Sequence, residues 1–116
     1  MNVSDFYDAI GGDLADTRSR LMNDERILKY LRRFPQTGDL EALCAAMTEQ
    51  NWENAFRASH NLKGMALNLG LTPLAAVSSD LCETMRHGAP AEDNSALYQQ
   101  VLDAYESVVA LIPSLE

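Results

Sequence analysis

The stretch NWENAFRASHNLKGMALNLG, residues 51–70, decides how this chain of 116 residues is read. Trp52, Ala55, Ser59, Leu62, Ala66 and Leu69 recur at the i, i+3, i+4, i+7 spacing of one buried helical face. Asn51 stands where an N-cap belongs, and Gly70 ends the helix. At 100° per residue, His60 projects roughly 130° from the centre of the apolar seam, on the water side. Glu53, Arg57, Asn61, Gly64 and Asn68 share that side, and Phe56, Lys63 and Leu67 lie at its border. Gly64 is the anomaly. A glycine inside a helix costs about 1 kcal/mol relative to alanine, and one that projects to solvent gains no close helix–helix contact in return.

Working outward, every segment between breakers has helical period and none alternates like a strand. Val3 to Ile10 is a short helix ended by Gly11-Gly12. Asp13 caps a second segment with Leu14, Thr17 and Leu21 on one face. Asp24 to Phe34 carries Ile27, Leu28, Leu31 and Phe34 on one face, and Pro35 stops it. QTGD is a turn with Thr37 or Asp39 as the cap of the next helix, which holds Leu40, Leu43, Cys44 and Met47. After Gly70, Thr72 is the expected N-cap and Pro73 the first helical residue. That helix carries Leu74, Val77, Leu81 and Met85 and is expected to end at His87-Gly88. A loop, APAED, leads to a last helix from about Asn94, with Leu97, Val101, Ala104, Val108 and Leu111 on one stripe. Loops this short join antiparallel neighbours. The expected fold is all-α, an antiparallel up-down four-helix bundle with additional short N-terminal helices, in one domain over residues 1–116.

Composition narrows the function. The formal net charge of −8 argues against a nucleic-acid binder and against an anionic membrane surface. No apolar run approaches the ~18 residues of a membrane span, and the N-terminus lacks the apolar region of a signal peptide. Cys44 and Cys82 fall on apolar stripes without a C-x-x-C pair, and the reading is two buried, reduced thiols in the cytoplasm. A metal site is not expected. His87 follows Glu83 at i+4 rather than i+3, no second such unit exists, and His87 is read as stabilising a helix C-terminus. Trp52 and the methionines sit at core or border spacing. Six of the nine Lys and Arg lie between Arg18 and Arg33, and Arg86 is the sole cation after Gly64. The ordinary meaning of such clustering is a solvated surface; orientation of a partner is the alternative.

The chemistry gathers at His60. Lys63 at i+3 and Arg57 at i−3 can bring positive charge to the ring, and Gly64 at i+4 clears the space beside it. A neutral imidazole keeps one nitrogen free to attack, and its ordinary pKa near 6.5 leaves it mostly neutral in the cell. The simplest use of a cleared, locally positive nucleophile is to carry a phosphoryl group, with lysine steadying the equatorial oxygens.

These residues match a known pattern. His60-x-Leu62-Lys63-Gly64, followed by Asn68-Leu69-Gly70, resembles the signature of histidine-containing phosphotransfer domains, the carriers of two-component phosphorelays. RLMNDERILKYLRRF, LEALCAAM, NWENAFRASHNLKG and LGLTPLAAVSSDL resemble successive segments of such a domain, so the likeness spans residues 5 to 112. The resemblance implies a four-helix bundle with an exposed histidine mid-helix. It implies that His60 takes a phosphoryl group from a receiver-domain aspartyl-phosphate and donates it to another receiver aspartate. Lys63 would stabilise the phosphoryl charge and Gly64 would leave room for it. Phe56, Arg57, Asn61, Leu67 and Asn68 are the docking candidates. No cofactor is expected on this chain, since Mg²⁺ would sit on the receiver and no ATP motif is present. The expected partners are receiver domains of response regulators or hybrid kinases, with no nucleic acid and no membrane. The chain is expected to be a monomer that stands alone. The competing reading is an unphosphorylated helical adaptor that binds a partner through the same face.

Overall fold

Short polar caps and left-handed residues set the helix ends. The computed structural model describes residues 1–116. It has seven α-helices and no strand: α1 (Val3–Ile10), α2 (Leu14–Leu21), α3 (Asp24–Arg33), α4 (Asp39–Glu49), α5 (Trp52–Asn68), α6 (Thr72–Glu83) and α7 (Ser95–Leu111). Two 3-10 turns, Phe34–Gln36 and Ile112–Ser114, follow α3 and α7. The side chains of Asn2, Asp13, Asn23 and Asn51 each accept a bond from the backbone N–H three residues on, and these open α1, α2, α3 and α5.

Helices α4 to α7 form the expected antiparallel bundle. The site helix α5 packs between α4 and α6, and α6 packs on α7. A core of 24 buried residues draws on every helix except α2, whose Leu14 and Leu21 pack against it half-buried. Phe6 and Tyr7 of α1, Ile27 and Leu31 of α3 and Phe34 are all buried within it. The rings of Phe34 and Tyr105 lie 5.2 Å apart and join the end of α3 to α7. The molecule measures 41 × 23 × 20 Å, and no helix is long and apolar enough to cross a membrane.

Several local expectations are corrected. Neither Thr37 nor Asp39 caps α4. Gly38, at φ +81, occupies the N-cap, while the Thr37 hydroxyl bonds to the Phe34 carbonyl and to Asp39. The chain reverses at Gly38 because only glycine takes that φ without strain. Leu71, not Thr72, is the N-cap of α6, and Thr72 is already helical. The buried Leu71 side chain anchors the turn, and the Thr72 hydroxyl points back to the Gly70 carbonyl. Helix α6 ends at Glu83 rather than at His87-Gly88. From Thr84 on, backbone bonds run three residues back, and the Thr84 hydroxyl donates to the Leu81 carbonyl at 2.6 Å. That competition closes the α-helix one turn early, so exposed His87 stands in the following turn. Cys44 is half-buried, and Cys82 is buried; both are unpaired. Met22 does not join the core. It sits at φ +78 in the α2–α3 turn, which turns its side chain to solvent.

Candidate functional site

Helix α5 is fixed at both ends. At its start, the Asn51 side chain accepts from the Asn54 N–H at 3.1 Å. At its end, the Leu71 N–H bonds to the Ala66 carbonyl and the Gly70 N–H to the Leu67 carbonyl. That pair is the Schellman closure, with Gly70 left-handed at φ +66. A Cβ on Gly70 would stand 2.0 Å from the Thr17 hydroxyl and 2.6 Å from the Asp13 carbonyl. Side chains from α1 and α2 also bond to carbonyls at this end, the Leu67 carbonyl accepting a second time. The Tyr7 hydroxyl donates to Leu69 at 2.6 Å, and the Arg20 guanidinium donates to Leu67 at 2.7 Å and to Asn68 at 3.0 Å. A guanidinium at a helix C-terminus also opposes the negative end of the helix dipole.

On this rigid rod His60 is exposed in mid-helix, as its projection requires. Its ring stacks on Phe56, one turn earlier, with centroids 6.1 Å apart and planes within 17°. The Arg86 guanidinium lies over the same Phe56 ring, 5.4 Å from its centroid, within the range of a cation–π contact. Arg86 in turn pairs with Glu83. Its hydrogen bond is the main reason the Glu83 carboxyl is held below the usual carboxylate range. Ser59, the residue before His60, is fully buried, and its hydroxyl donates to the Ala55 and Phe56 carbonyls.

Lys63 is half-buried and lines a groove of about 400 Å³ between α2, α5 and α6, together with Leu67, Asp13 and Asp16. It forms no ion pair, and its charge also reaches Glu83. Gly64 faces open space: a Cβ built there meets nothing within 4 Å. The helix therefore gains nothing in packing from this glycine.

The named candidates divide between two flanks of the His60 ridge. Phe56, Lys63 and Leu67 lie toward α6 and Arg86. Arg57 and Asn61 line a groove toward α4, and Asn68 a smaller one toward α3. Arg57 is not aimed at the imidazole; its guanidinium is paired with Glu53 one turn back. The positive spot expected from two cations flanking the ring thus rests on Lys63 alone, because Arg57 and Arg86 are both neutralised by glutamates. Two residues were not foreseen at the site. Arg86 reaches it through Phe56, and its isolation in an acidic half of the sequence was the available signal. Arg20 reaches it from 47 residues away, with no local sign. No group of three or more His, Cys, Asp or Glu side chains is placed to hold a metal ion.

Comparison with known proteins gives one match. The family model described as Hpt domain covers residues 36–111, about two thirds of the chain, including all of α4 to α7. The match begins after α3, so the N-terminal helices that the sequence resemblance took in lie outside it. No curated protein and no solved structure matches.

Proposed function

The chain belongs to the Hpt domain family, whose members carry phosphoryl groups in two-component phosphorelays, and from that premise we propose that His60 is the phosphoryl-carrying residue. The observation that carries the reading is an exposed histidine in the middle of α5, with Gly64 open beside it and Lys63 uncommitted. The lone pair of a neutral imidazole nitrogen attacks the phosphorus of an aspartyl-phosphate on a receiver domain. The P–N bond forms, the acyl P–O bond breaks, and the aspartate leaves as a carboxylate. The second ring nitrogen then releases its proton to solvent, which leaves a neutral ring bearing the anionic phosphoryl group. Donation to a second receiver runs the same steps in reverse.

Lys63 steadies the equatorial oxygens in the in-line transfer. Gly64 lets the receiver backbone come close. Phe56, held by Arg86, keeps the imidazole against one flank of the helix. Phe56, Asn61, Leu67 and Asn68 form the docking face, with Arg57 at its α4 edge. The receiver supplies Mg²⁺ and the acidic cluster; this chain supplies neither a cofactor nor an ATP site. We place the exchange in the cytoplasm, in keeping with two unpaired cysteines, and take the chain to act as a monomeric single domain over residues 1–116.

The test follows labelled phosphate from a panel of phosphorylated receiver domains onto wild type and His60→Gln. Acid-labile, alkali-stable phosphate on wild type and none on the variant is the expected result. Full downstream signalling by His60→Gln would establish an adaptor instead.

A further inference from the structure

Three large apolar side chains stay exposed, Met22 at 74%, Tyr30 at 37% and Leu67 at 53%. Met22 stands in the α2–α3 turn and Tyr30 on α3, while Leu67 lies on α5 beside the groove toward α2 and α6. The Arg26 guanidinium donates to the Met22 sulfur at 3.4 Å. Tyr30 and Arg33 share a groove of about 170 Å³ with Met65 and Asn68 of α5. Arg20 is bonded to the Leu67 and Asn68 carbonyls. Arg26, Lys29, Tyr30 and Arg33 are spaced i, i+3, i+4, i+7 and form one ridge of α3 about 10 Å long. The ion pairs of the chain are Arg18–Asp24, Arg20–Asp16, Arg57–Glu53, Arg86–Glu83 and the amino terminus with Glu116. Arg26, Lys29 and Arg33 belong to none of them. Residues 18–33 hold six cations and two carboxylates in a chain of net charge −8.

A merely solvated helix face interleaves lysine with glutamate. This ridge has unpaired cations around Tyr30 and Met22, and arginine, tyrosine and methionine are the side chains enriched where proteins meet proteins. Taking His60 as the carrier, we infer that the Arg26–Lys29–Tyr30–Arg33 ridge is a docking surface for an acidic, partly apolar patch on the receiver domain, and that it selects among receivers. The occupant follows from continuity: Tyr30 and Arg33 share a groove with Asn68, which is exposed on the side of α5 that carries His60. Its charge opposes that of the rest of the chain, so a partner acidic at this edge is drawn into one orientation. A nucleic acid or an anionic bilayer would meet the repulsion of the acidic remainder beyond the short reach of the ridge. The ridge precedes residue 36 and so lies outside the matched family segment.

The test titrates a panel of receiver domains from the same genome against wild type, His60→Gln, Tyr30→Ala and the triple variant Arg26→Gln/Lys29→Gln/Arg33→Gln. Glutamine keeps helix propensity, and circular dichroism checks the fold. Binding and phosphoryl transfer are read separately at low and high salt. For the preferred receiver, the triple variant is expected to lose tenfold or more in affinity and most of its salt dependence. Its transfer rate at saturating receiver stays that of wild type, Tyr30→Ala loses affinity at both salts, and His60→Gln binds as wild type. Unchanged affinity and salt slope in the folded triple variant would overturn the inference. So would failure of wild type to bind any receiver, or ridge-dependent binding found only with phosphatidylserine vesicles or duplex DNA. Ridge-dependent receiver binding without phosphoryl transfer would keep the docking surface and refute the carrier. Transfer with ridge-independent binding would do the opposite.

Discussion

Gly64 separates folding from function more cleanly than any other residue in the chain. Its missing Cβ would touch nothing within 4 Å, so Gly64→Ala should raise stability by about 1 kcal/mol. For a chain this size that is a rise of several degrees in melting temperature. If the clearance serves the receiver, the same variant should transfer phosphate tenfold or more slowly, the equivalent of about 1.4 kcal/mol. Thermal melts and single-turnover transfer on one preparation check both halves, and a variant more stable and equally fast would leave the glycine without a purpose. Arg86 makes a second prediction at this scale. Its hydrogen bond holds the Glu83 carboxyl low, so that pair stabilises the fold above the ordinary carboxylate range and is lost as pH falls through the lowered value. Arg86→Gln should return the Glu83 titration toward that ordinary range. It should also shift the His60 ring protons, because Phe56 loses its cation. NMR pH titration of the carboxyl carbon and the imidazole protons reads both effects. His60, Lys63 and Gly64 were legible in the sequence because helical spacing alone places them on one face. Arg86 was not, because its approach depends on how α6 ends and turns.

At the scale of the helix, α5 is held by groups distant in sequence. Tyr7, Thr17 and Arg20 all meet its last turn or the glycine that follows. Gly70→Ala should cost about 1–3 kcal/mol for the left-handed backbone, and the overlap with Thr17 and Asp13 adds to that. Arg20→Met leaves the Asn68 carbonyl to water and the Leu67 carbonyl with only the Gly70 N–H, and should cost about 1–2 kcal/mol. Denaturant midpoints check the magnitudes, and amide exchange should show the loss concentrated where α5 ends. The sequence announced helix ends wherever a side chain caps its own helix, as Asp13 and Asn51 do. It misled where a polar residue had a better local partner. Thr37 bonds into the preceding turn, Thr72 reaches back to Gly70, and Thr84 takes a carbonyl that an α-helix would have used. A hydroxyl near a helix end reads the same in each case, and only the folded backbone decides which way it turns.

At the scale of the whole molecule, the bundle of α4 to α7 was legible from apolar periodicity and loop length, whereas the clamp of α1 and α2 on the site helix was not, since nothing local encodes it. The core also carries a pH dependence. Burial pushes the Tyr7 and Tyr98 hydroxyls up to about 12, Tyr98 with a contribution from the neighbouring Cys44 thiol, and burial raises Tyr105 as well. A raised folded-state value means that the protonated form is favoured in the fold. The stability it confers is complete below the ordinary tyrosine value near 10 and is lost as pH climbs from there to about 12. Denaturation midpoints should therefore drop across that window, in step with the rise of phenolate absorbance, and Tyr7→Phe should flatten part of the drop. A phosphoryl group on His60 can be observed directly, because the chain has two histidines. Long-range ¹H–¹⁵N spectra of the imidazoles, recorded before and after mixing with a phosphorylated receiver, resolve both rings at once. Phosphoryl carriage at His60 requires that one ring nitrogen of His60 shift to a phosphoramidate position while His87 stays unchanged. A phosphorylated His87, or an unaltered His60 beside a receiver that docks and keeps its phosphate, would contradict it.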